Sequence, residues 1–540
     1  MTFKTKLIAA VCLLSTYFCC AQDTSISWEV LDVKDPQKSA GFIDTKDLDG
    51  DGFQEILLST LQESGGGLFS PKGALRLFDN RKHDTSTRWT EKTLISIFDN
   101  LGFINAPVFM DIDQDGIDDI LVHQGFLATD SGSYFWLKGP DFKERNYISE
   151  ETSESEYFWH ETVQIDMDSD GLLDLVSTSA NTNVTPAVKR IEWYHNQGDG
   201  SFEQHIISES FGGVFIKSYD IDNDNDQDLV VSQFFGPPAE DSIVWLEQQE
   251  KPSPSNNWVG VWEPHTIDNT TGLGYHIEFY DIDADGKEEL VYNNHNNLNN
   301  DAIVDTNGNP IVSGIYSFEI PQNPRSADSW EKNIIDEGFE VTNFDFGNPA
   351  SQGSTGIFSI GDIDNNGYPD IVLPGDGAED LFFLQQNENK TFTRSTIATG
   401  TMFGQAKITD IDGDGSLEVL AAMHNMADNF FQAIFNFPDG HLKIYKPIIE
   451  DTEDKLVSIE NSLAIYPNPA NNEITISLKN ELSKNRYIAI RIMDSFQVEK
   501  YRSDTDTDFQ TINISQWNSG FYFVEFNTGE QTVVKKFFKE

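Results

Sequence analysis

Residues 47–55 read Asp-Leu-Asp-Gly-Asp-Gly-Phe-Gln-Glu, and this nine-residue motif recurs along the chain. Six further copies begin at Asp111, Asp166, Asp220, Asp281, Asp362 and Asp410. Acidic residues, with Asn in one place, occupy positions 1, 3, 5 and 9 of every copy. Alternate carboxylates that converge as a loop winds are oxygen ligands of the kind that Ca²⁺ prefers. The motif therefore predicts a calcium loop, repeated seven times.

The predicted ligands are the side chains at positions 1, 3, 5 and 9, and up to seven structural Ca²⁺ ions are expected. They are Asp47, Asp49, Asp51 and Glu55; Asp111, Asp113, Asp115 and Asp119; Asp166, Asp168, Asp170 and Asp174; Asp220, Asp222, Asp224 and Asp228; Asp281, Asp283, Asp285 and Glu289; Asp362, Asp364, Asn366 and Asp370; Asp410, Asp412, Asp414 and Glu418. A single Asp-rich loop can be an ordinary solvated turn. Seven copies with the acids in register favour ion binding instead.

Position 6 of the motif is glycine in six copies and Asn225 in the fourth. A loop this tight needs positive φ at that position, which Gly adopts without steric cost and Asn tolerates. The motif differs from an EF-hand, which closes with Glu at position 12 and continues into a helix. Here the closing acid is followed by short apolar runs such as Ile56-Leu57-Leu58, which are typical of buried strands. Each loop is therefore predicted to be the tip of a β-hairpin.

A larger repeat surrounds the loop from residue 22 to residue 448. Each unit is interpreted as opening with a strand of the form W-x-x-x-x-I, such as Trp28 to Val33, before the loop hairpin and a further apolar strand such as Leu75 to Phe78. Seven four-stranded units predict an all-β, seven-bladed β-propeller, in which every blade buries its faces against its neighbours. The Asn- and Asp-rich stretch from Asn293 to Asn323 is interpreted as an outer loop of the fifth unit.

These repeats resemble FG-GAP or VCBS repeats, the calcium-loop blades of integrin-α-type seven-bladed propellers. The resemblance covers nearly all of residues 22–448 and implies the fold and the calcium sites. It does not imply an activity, because propellers with this repeat include adhesion domains, lectin-like modules and carbohydrate-active lyases and dehydratases.

Residues 1–21 predict a signal peptide, with Lys4 and Lys6 before an apolar run and cleavage after Ala21. All three cysteines of the sequence lie in this segment, so the exported chain is predicted to lack disulfides. Bound calcium would then supply the rigidity that cystines give to many secreted folds. The formal net charge of −53 disfavours nucleic acid and anionic membranes as partners.

A short acidic linker, residues 449–460, precedes a C-terminal domain at residues 461–540. Alternating apolar residues and turns predict a small β-sandwich there. Its Tyr466-Pro467-Asn468-Pro469 opening and its Gly520-Phe521-Tyr522 ending, followed by lysines, resemble the C-terminal sorting domain of the type IX secretion system. The resemblance implies the secretion machinery as a partner, and export by the Sec route and then type IX secretion. The expected location is the outer-membrane surface of a Gram-negative bacterium, or release from it.

A candidate ligand face lies opposite the loops. Because each loop is a hairpin tip, residues about six before its first Asp or six after its last acid are expected on the opposite face. This rule collects His160, Glu161, His276, Glu278, His295 and His424. His123 is added because it follows Asp119 by four residues and so keeps the same side parity. Imidazoles and carboxylates can bind a transition metal or act as acid and base on a sugar. Histidines near strand ends are also often satisfied polar residues at a channel mouth.

Three functional hypotheses follow from this reading. We favour a secreted or surface-displayed, calcium-stabilised, monomeric propeller that binds a glycan or a protein. The alternative is an extracellular polysaccharide lyase or dehydratase that uses the histidine-bearing face, and the third is a purely structural surface protein. G-x-S-x-G, H-E-x-x-H and phosphate-loop motifs do not occur. Stacking of Trp136, Trp159, Trp193 or Trp245 on sugars is conceivable, but their repeat spacing favours the blade core.

Overall fold

A computed structural model describes most of the chain. The described residues are 26–38, 40–63, 72–80, 89–99, 101–126, 132–149, 157–182, 184, 186–235, 242–297, 304–305, 308–342, 353–400, 402–424, 439–449, 463–478, 488–496, 498–505, 509–527 and 532–540. The predicted signal segment and the linker, apart from residue 449, lie outside them. The chain divides into compact units between Pro447 and Ile448, and each unit is described by itself.

Trp28–Pro447 forms seven four-stranded antiparallel sheets, which are the blades of a propeller. Blade 1 contains β2 (Ala40–Lys46), β3 (Glu55–Glu63), β4 (Lys72–Asp79) and β5 (Thr90–Ile95). Blade 2 contains β6 (Phe103–Met110), β7 (Asp119–Phe126), β8 (Ser133–Leu137) and β9 (Arg145–Ser149). Blade 3 contains β10 (Phe158–Ile165), β11 (Asp174–Asn181), β12 (Val188–Asn196) and β13 (Phe202–Ser208). Blade 4 contains β14 (Ile216–Tyr219), β15 (Asp228–Ser232), β16 (Ile243–Glu250) and β17 (Val261–Asp268).

The remaining three blades follow the same plan. Blade 5 contains β18 (Gly274–Tyr280), β19 (Glu289–Asn294), β20 (Gly314–Phe318) and β21 (Lys332–Glu337). Blade 6 contains β22 (Ser359–Gly361), β23 (Asp370–Pro374), β24 (Asp380–Gln386) and β25 (Phe392–Thr399). Blade 7 contains β26 (Met402–Thr409), β27 (Glu418–His424), β28 (Asp439–Ile448) and β1 (Ser27–Lys38). Short 3₁₀ turns occupy Ile97–Asp99, Pro254–Asn256, Ala327–Ser329 and Asp376–Ala378.

The ring closes through the N-terminal strand. Blade 7 has the order β1-β28-β27-β26, so β1 is its fourth strand although it precedes blade 1 in sequence. Val33 of β1 is buried in one cluster with Leu442 and Ile444 of β28 and with Ile43 and Ile56 of blade 1. Because β1 completes the last blade and packs against the first, one strand holds the two ends of the repeat array together.

This closure corrects the predicted boundary of the repeat unit. The aromatic strand was expected to open each unit, but it is the outermost strand of the preceding blade. Trp89 leads into β5, the fourth strand of blade 1, and Trp28 lies in the fourth strand of blade 7. The prediction of four strands per unit and seven units is confirmed; only the starting point of the unit was wrong.

Blade interiors are filled by apolar side chains that pack across neighbouring sheets. Leu57 and Leu75 of blade 1, for example, share a cluster with Ile120 and Phe135 of blade 2. The four tryptophans with repeat spacing are also buried, which confirms that they belong to the blade core. They are Trp136, Trp159, Trp193 and Trp245.

The expected outer loop from Asn293 to Asn323 is partly wrong. It contains β20, a fully buried strand that pairs with β19 and β21 in blade 5. Asn and Asp residues dominate the segment around it, so the short apolar run Ile315-Tyr316-Ser317-Phe318 was overlooked as a strand.

Residues of the C-terminal unit form two antiparallel sheets. One has the order β29 (Leu463–Tyr466), β30 (Glu473–Leu478), β33 (Phe509–Asn513), and the other the order β32 (Glu499–Thr505), β31 (Ile488–Asp494), β34 (Gly520–Asn527), β35 (Thr532–Lys539). Ile474 and Ile476 of the first sheet pack with Ile490, Val524 and Phe526 of the second. This is the predicted β-sandwich. Within the described parts of the chain, no helix has the length and hydrophobicity of a membrane span.

Ring closure can be tested on β1. Val33→Asp should lower the free energy of unfolding of the propeller by about 3 kcal/mol or more, because it buries an uncompensated charge in the seam. The measurement is thermal or urea unfolding of the purified chain. Val30→Asp on the same strand is the matched control, since that side chain is 50% exposed. Equal melting temperatures for the two variants would contradict a seam closed by β1.

Candidate functional site

The seven acidic motifs occupy the same place in every blade. Each loop joins the first strand to the second: Asp47 directly follows β2, and Glu55 is the first residue of β3. The other six copies have the same arrangement at their own first and second strands. The prediction that each motif is the tip of a β-hairpin is confirmed. The loops are called loops 1 to 7 after their blades.

Carboxylates organise each loop by accepting backbone N–H groups. In loop 1 the carboxylate of Asp47 accepts N–H groups of Gly50 at 2.8 Å and Gly52 at 3.0 Å. The N–H of Leu48 donates to Glu55 at 2.8 Å, which ties the second residue of the loop to the closing acid. The corresponding bond to the closing acid recurs in the other six loops at 3.0–3.2 Å. Short polar side chains that bind nearby backbone groups favour this kind of turn.

Two positions of the loop adopt the left-handed backbone conformation. Position 6 does so as predicted, with φ of 93° at Gly52 and 71° at Asn225. Position 4 does so as well, which the sequence reading missed because five of its seven residues are not glycine. The φ values at position 4 are 77° for Gly50, 56° for Gln114, 67° for Ser169, 61° for Asn223, 56° for Ala284, 56° for Asn365 and 69° for Gly413. The common curvature outweighs the steric cost at these residues.

All seven closing acids are buried. Burial raises their pKa values, and the bond from the second loop residue offsets part of that effect. The pKa rises to about 7 for Glu55, Asp228, Glu289, Asp370 and Glu418, and to about 6 for Asp119 and Asp174. A bound cation would favour the ionised form of each closing acid, so protons and cations compete for these loops.

Donor chemistry of the loops fits a hard divalent cation. Carboxylate oxygens of Asp47, Asp49 and Glu55 lie within 4.8 Å of one another. The acids at position 3 of loops 2, 4 and 7 are Asp113, Asp222 and Asp412. Each pairs through one oxygen with a lysine or arginine and keeps the other, Oδ1, buried without a hydrogen-bond partner among the described residues. A buried oxygen that lacks a donor is suited to a cation ligand. The acids at positions 1, 3, 5 and 9 would hold such an ion, which would supply charge compensation and rigidity.

A second site lies on the propeller axis. A cavity of about 220 Å³, here called the axial cavity, is lined by the first strand or its approach in all seven blades. Its walls follow a simple register, because the residues five and three positions before the first acid of each loop alternate toward the axis. Six of the seven residues at each of these positions line the cavity. Those five before the first acid are Ala106, Glu161, Phe215, His276, Ile357 and Gln405. Those three before it are Asp44, Val108, Lys217, Glu278, Ser359 and Lys407.

Charged groups of the axial cavity are paired across blades. Lys217 Nζ lies 3.1 Å from Glu161 and 3.3 Å from Glu278, and Lys407 pairs with Asp44. Burial alone would raise the pKa of Glu278, but Lys217 and a hydrogen bond from His276 outweigh it and lower that pKa to about 2. Burial opposes the charge of Lys217, yet the two carboxylates hold its pKa above the ordinary value. Both partners are therefore ionised at neutral pH.

Two of the predicted histidines are buried structural groups. The ring of His123 bonds Ala106 O at 3.2 Å and Thr162 Oγ1 at 2.8 Å, which joins blades 2 and 3. His160 packs edge-on against Phe42 and Phe215. Burial lowers the pKa of His123 to about 4 and that of His160 to about 3, so both rings are neutral at physiological pH.

His276 has a different environment from these two. Its Nε2 lies 3.2 Å from Glu278, and its ring packs between Phe215 and Phe358. Its Nδ1 has no hydrogen-bond partner among the described residues. His276 and Glu278 therefore form the one predicted histidine–carboxylate pair on the wall of the axial cavity.

Of the other two predicted histidines, the structure describes the side chain of one, and it is not on that cavity wall. His295 follows β19, bonds Thr355 O at 2.7 Å and stacks on Tyr275. His424 ends β27, and its side chain lies outside the described residues. The structure thus brings His123, Glu161, His276 and Glu278 to one cavity and places His295 in a neighbouring aromatic cluster.

That aromatic cluster, here called the aromatic mouth, was missed from the sequence. It consists of Phe42, Phe234, Phe235 and Tyr275, all half-buried, packed on Val214, Phe215 and Ile357. Phe234 and Tyr275 lie six residues after the closing acid and six before the first acid of their loops. The counting rule that selected histidines therefore also selects these aromatics. That rule was applied only to titratable groups. It counted about six residues from the loop, whereas the cavity-lining residues lie five and three before the first acid, so Asp44, Lys217 and Lys407 were missed.

Comparisons with known protein families match segments in both parts of the chain. Residues 47–122, 166–231 and 362–421 match the FG-GAP-like repeat family, and residues 464–540 match the secretion system C-terminal sorting domain family. The chain is also similar to the solved structure of beta-fructofuranosidase from Schwanniomyces occidentalis complexed with fructosyl-erythritol. That similarity has 10% identity and a TM-score of 0.31, and it covers 96% of this chain and 93% of that chain. No curated protein matches the sequence.

The axial ion pairs can be tested by mutation. Lys217→Met should destabilise the propeller by roughly 2 kcal/mol, because it leaves Glu161 and Glu278 facing each other without a cation, in a cavity open enough for water to reduce the cost. Adding Glu161→Gln and Glu278→Gln should restore most of the lost stability, since each amide keeps an acceptor oxygen. Urea unfolding of the three proteins gives the measurement. No rescue in the triple variant would contradict the pairing.

Proposed function

We propose that this chain, which carries FG-GAP-like repeats in three places and ends in a type IX secretion sorting domain, is a calcium-loaded binding module that captures a glycan. The sorting domain directs export to the cell surface or beyond and engages the type IX secretion machinery. The proposal therefore concerns what the exported propeller does there.

The observation that carries the proposal is the pairing of the aromatic mouth with the axial cavity. Tyr275 contacts both Phe234, at 5.4 Å between ring centroids, and Phe215, at 5.0 Å, and Phe215 in turn lines the cavity. Half-buried rings beside polar and charged groups suit a sugar, because a sugar presents C–H faces for packing and hydroxyls for hydrogen bonds. Carboxylates and ammonium groups in the cavity supply acceptors and donors for those hydroxyls.

Calcium has a structural part in this proposal. Each loop gathers acids at one end of a blade, and their mutual repulsion opposes the folded ring. Ions bound only by the folded state would stabilise it by mass action. In five of the seven blades both cavity-facing positions line the cavity, within five residues of the first acid of the loop, and each of the other two blades contributes one of them. Filling the loops would therefore fix the register of the cavity wall.

An enzymatic alternative rests on His276 and Glu278. An imidazole with one free ring nitrogen beside an ionised carboxylate has the composition of a general base for proton abstraction from a sugar. Under this alternative the propeller is an extracellular polysaccharide lyase or dehydratase. The buried, neutral rings of His123 and His160 lend it no support.

Calcium removal should lower the melting temperature of the exported chain. The expected difference between calcium and chelator is several degrees, because the vacated loops regain their carboxylate repulsion. The difference should shrink as the pH falls from about 7 to about 5.5, since protons occupy the closing acids whose pKa values burial raises to 6 or 7. Scanning calorimetry at matched ionic strength measures both effects. Identical melting curves with and without chelator would contradict the calcium sites.

Binding itself is tested by a glycan array and a polysaccharide screen of the full exported chain in calcium, with binding and product release read together. Phe234→Ala combined with Tyr275→Ala should weaken binding about tenfold, through lost ring packing. Phe98→Ala is the matched control, because that ring is 89% exposed and outside the cluster. Binding that survives the double variant would contradict the aromatic mouth as the site.

Release of unsaturated products would favour the enzymatic alternative instead. His276→Gln then separates the two functions, since it should abolish turnover while calcium-dependent melting is retained. Binding without turnover favours the capture module.

A further inference from the structure

One residue in the second half of the third strand of every blade, or directly after that strand, lies opposite the closing acid of the loop. Continuing the register of the second and third strands by one residue beyond the pair Ile56–Phe78 places Asp79 opposite Glu55. The same step in the other blades defines what we call the facing residues. In blade order these are Asp79, Lys138, His195, Glu247, Glu319, Gln385 and Lys446.

The facing residues differ in charge although the loops are nearly identical. Lysine occupies the position in blades 2 and 7, an acid in blades 1, 4 and 5, histidine in blade 3 and glutamine in blade 6. Four of these side chains directly contact the acid at position 3 of their own loop. Lys138 pairs with Asp113, His195 lies 3.3 Å from Asp168, Gln385 donates to Asp364 at 2.6 Å, and Lys446 lies 2.5 Å from Asp412.

Each of the two facing lysines contacts more than one acid of its loop. Lys446 also lies 3.2 Å from the closing acid Glu418, and Lys138 also lies 2.9 Å from Asp115. Each ammonium group therefore contacts two of the predicted ligands of its loop. A permanent positive charge at that place repels a divalent cation that needs the same oxygens.

Blades 4 and 5 acquire a cation by another route. In blade 4, Arg325 pairs with both the facing residue Glu247 and Asp222, the acid at position 3. In blade 5, Lys390 lies 2.8 Å from Asp283, the acid at position 3. In blades 1, 3 and 6, no lysine or arginine among the described residues contacts the acid at position 3 of the loop. The loops therefore fall into two groups by the charge placed on position 3.

We propose that these built-in cations grade the seven loops by divalent-cation affinity: loops 1, 3 and 6 bind calcium tightly, and loops 2, 4, 5 and 7 bind it weakly. The inference rests on the proposed calcium loading and adds which loops carry it. It assigns Lys138, Arg325, Lys390 and Lys446 the role of competing counter-ions. The propeller is then stabilised by metal at three loops and by its own side chains at four, and the two groups interleave around the ring.

The chain offers a reciprocal test, because blade 6 uses glutamine where blade 2 uses lysine. Lys138→Gln should convert one weak site into a tight one, and Gln385→Lys should convert one tight site into a weak one. Each conversion should change the affinity of that site about tenfold or more, as expected for one unit charge a few ångströms from an ion. Equilibrium dialysis of the full chain against graded free Ca²⁺, with bound calcium counted by atomic emission, gives the number of tight sites.

Lys143→Gln is the matched control, since Lys143 is in the same blade, pairs with Asp141 and is largely exposed. Three tight sites in the parent and control, with one gained in Lys138→Gln and one lost in Gln385→Lys, are expected. The same number of tight sites in all four proteins would overturn the grading while leaving calcium loading intact. No bound calcium in the parent at millimolar Ca²⁺ would overturn the proposed loading and the grading together.

Discussion

Each hairpin tip depends on one hydrogen bond, from the N–H of the second loop residue to the closing carboxylate. The bond recurs in all seven blades, at 2.8 Å in loop 1 and 3.0–3.2 Å elsewhere. Because the closing acid begins the second strand, the bond fixes where that strand starts and which way its side chains alternate. The acid is buried where it accepts this bond. Burial raises its pKa, and the bond offsets only part of that rise.

From this constraint the two sites become connected. Side chains five and three residues before the first acid point to the axis because the loop fixes the end of the first strand. That strand carries bulges in several blades, such as those at Ala40/Ile43 and Gly274/Ile277. A bulge re-aims the residues beyond it, and the alternation that follows places His276 and Glu278, two residues apart, on the cavity wall. The acidic loop and the cavity-lining residues of a blade are thus set by one short strand.

The sequence predicted the repetition well and the closure poorly. Seven motifs in register were sufficient for seven blades, because acid spacing and the following apolar run are local properties. The seam was not predictable from local pattern, since β1 resembles the outermost strand of every blade and nothing within it shows that its partner lies some 400 residues later. The left-handed position 4 was missed because residues such as Gln114 and Ala284 give no local signal for it. Lys217 was missed because only its neighbours Glu161 and Glu278 make it a cavity group.

The proposed function requires that the acidic loops of the folded propeller hold cations. A crystal structure of the exported chain grown in calcium, with anomalous scattering recorded for the ion, tests this most directly. Anomalous peaks are expected in loops 1, 3 and 6, surrounded by oxygens of the first, third, fifth and ninth residues of each motif. Loops that keep the same hydrogen bonds and show no ion at saturating calcium would contradict the proposed function.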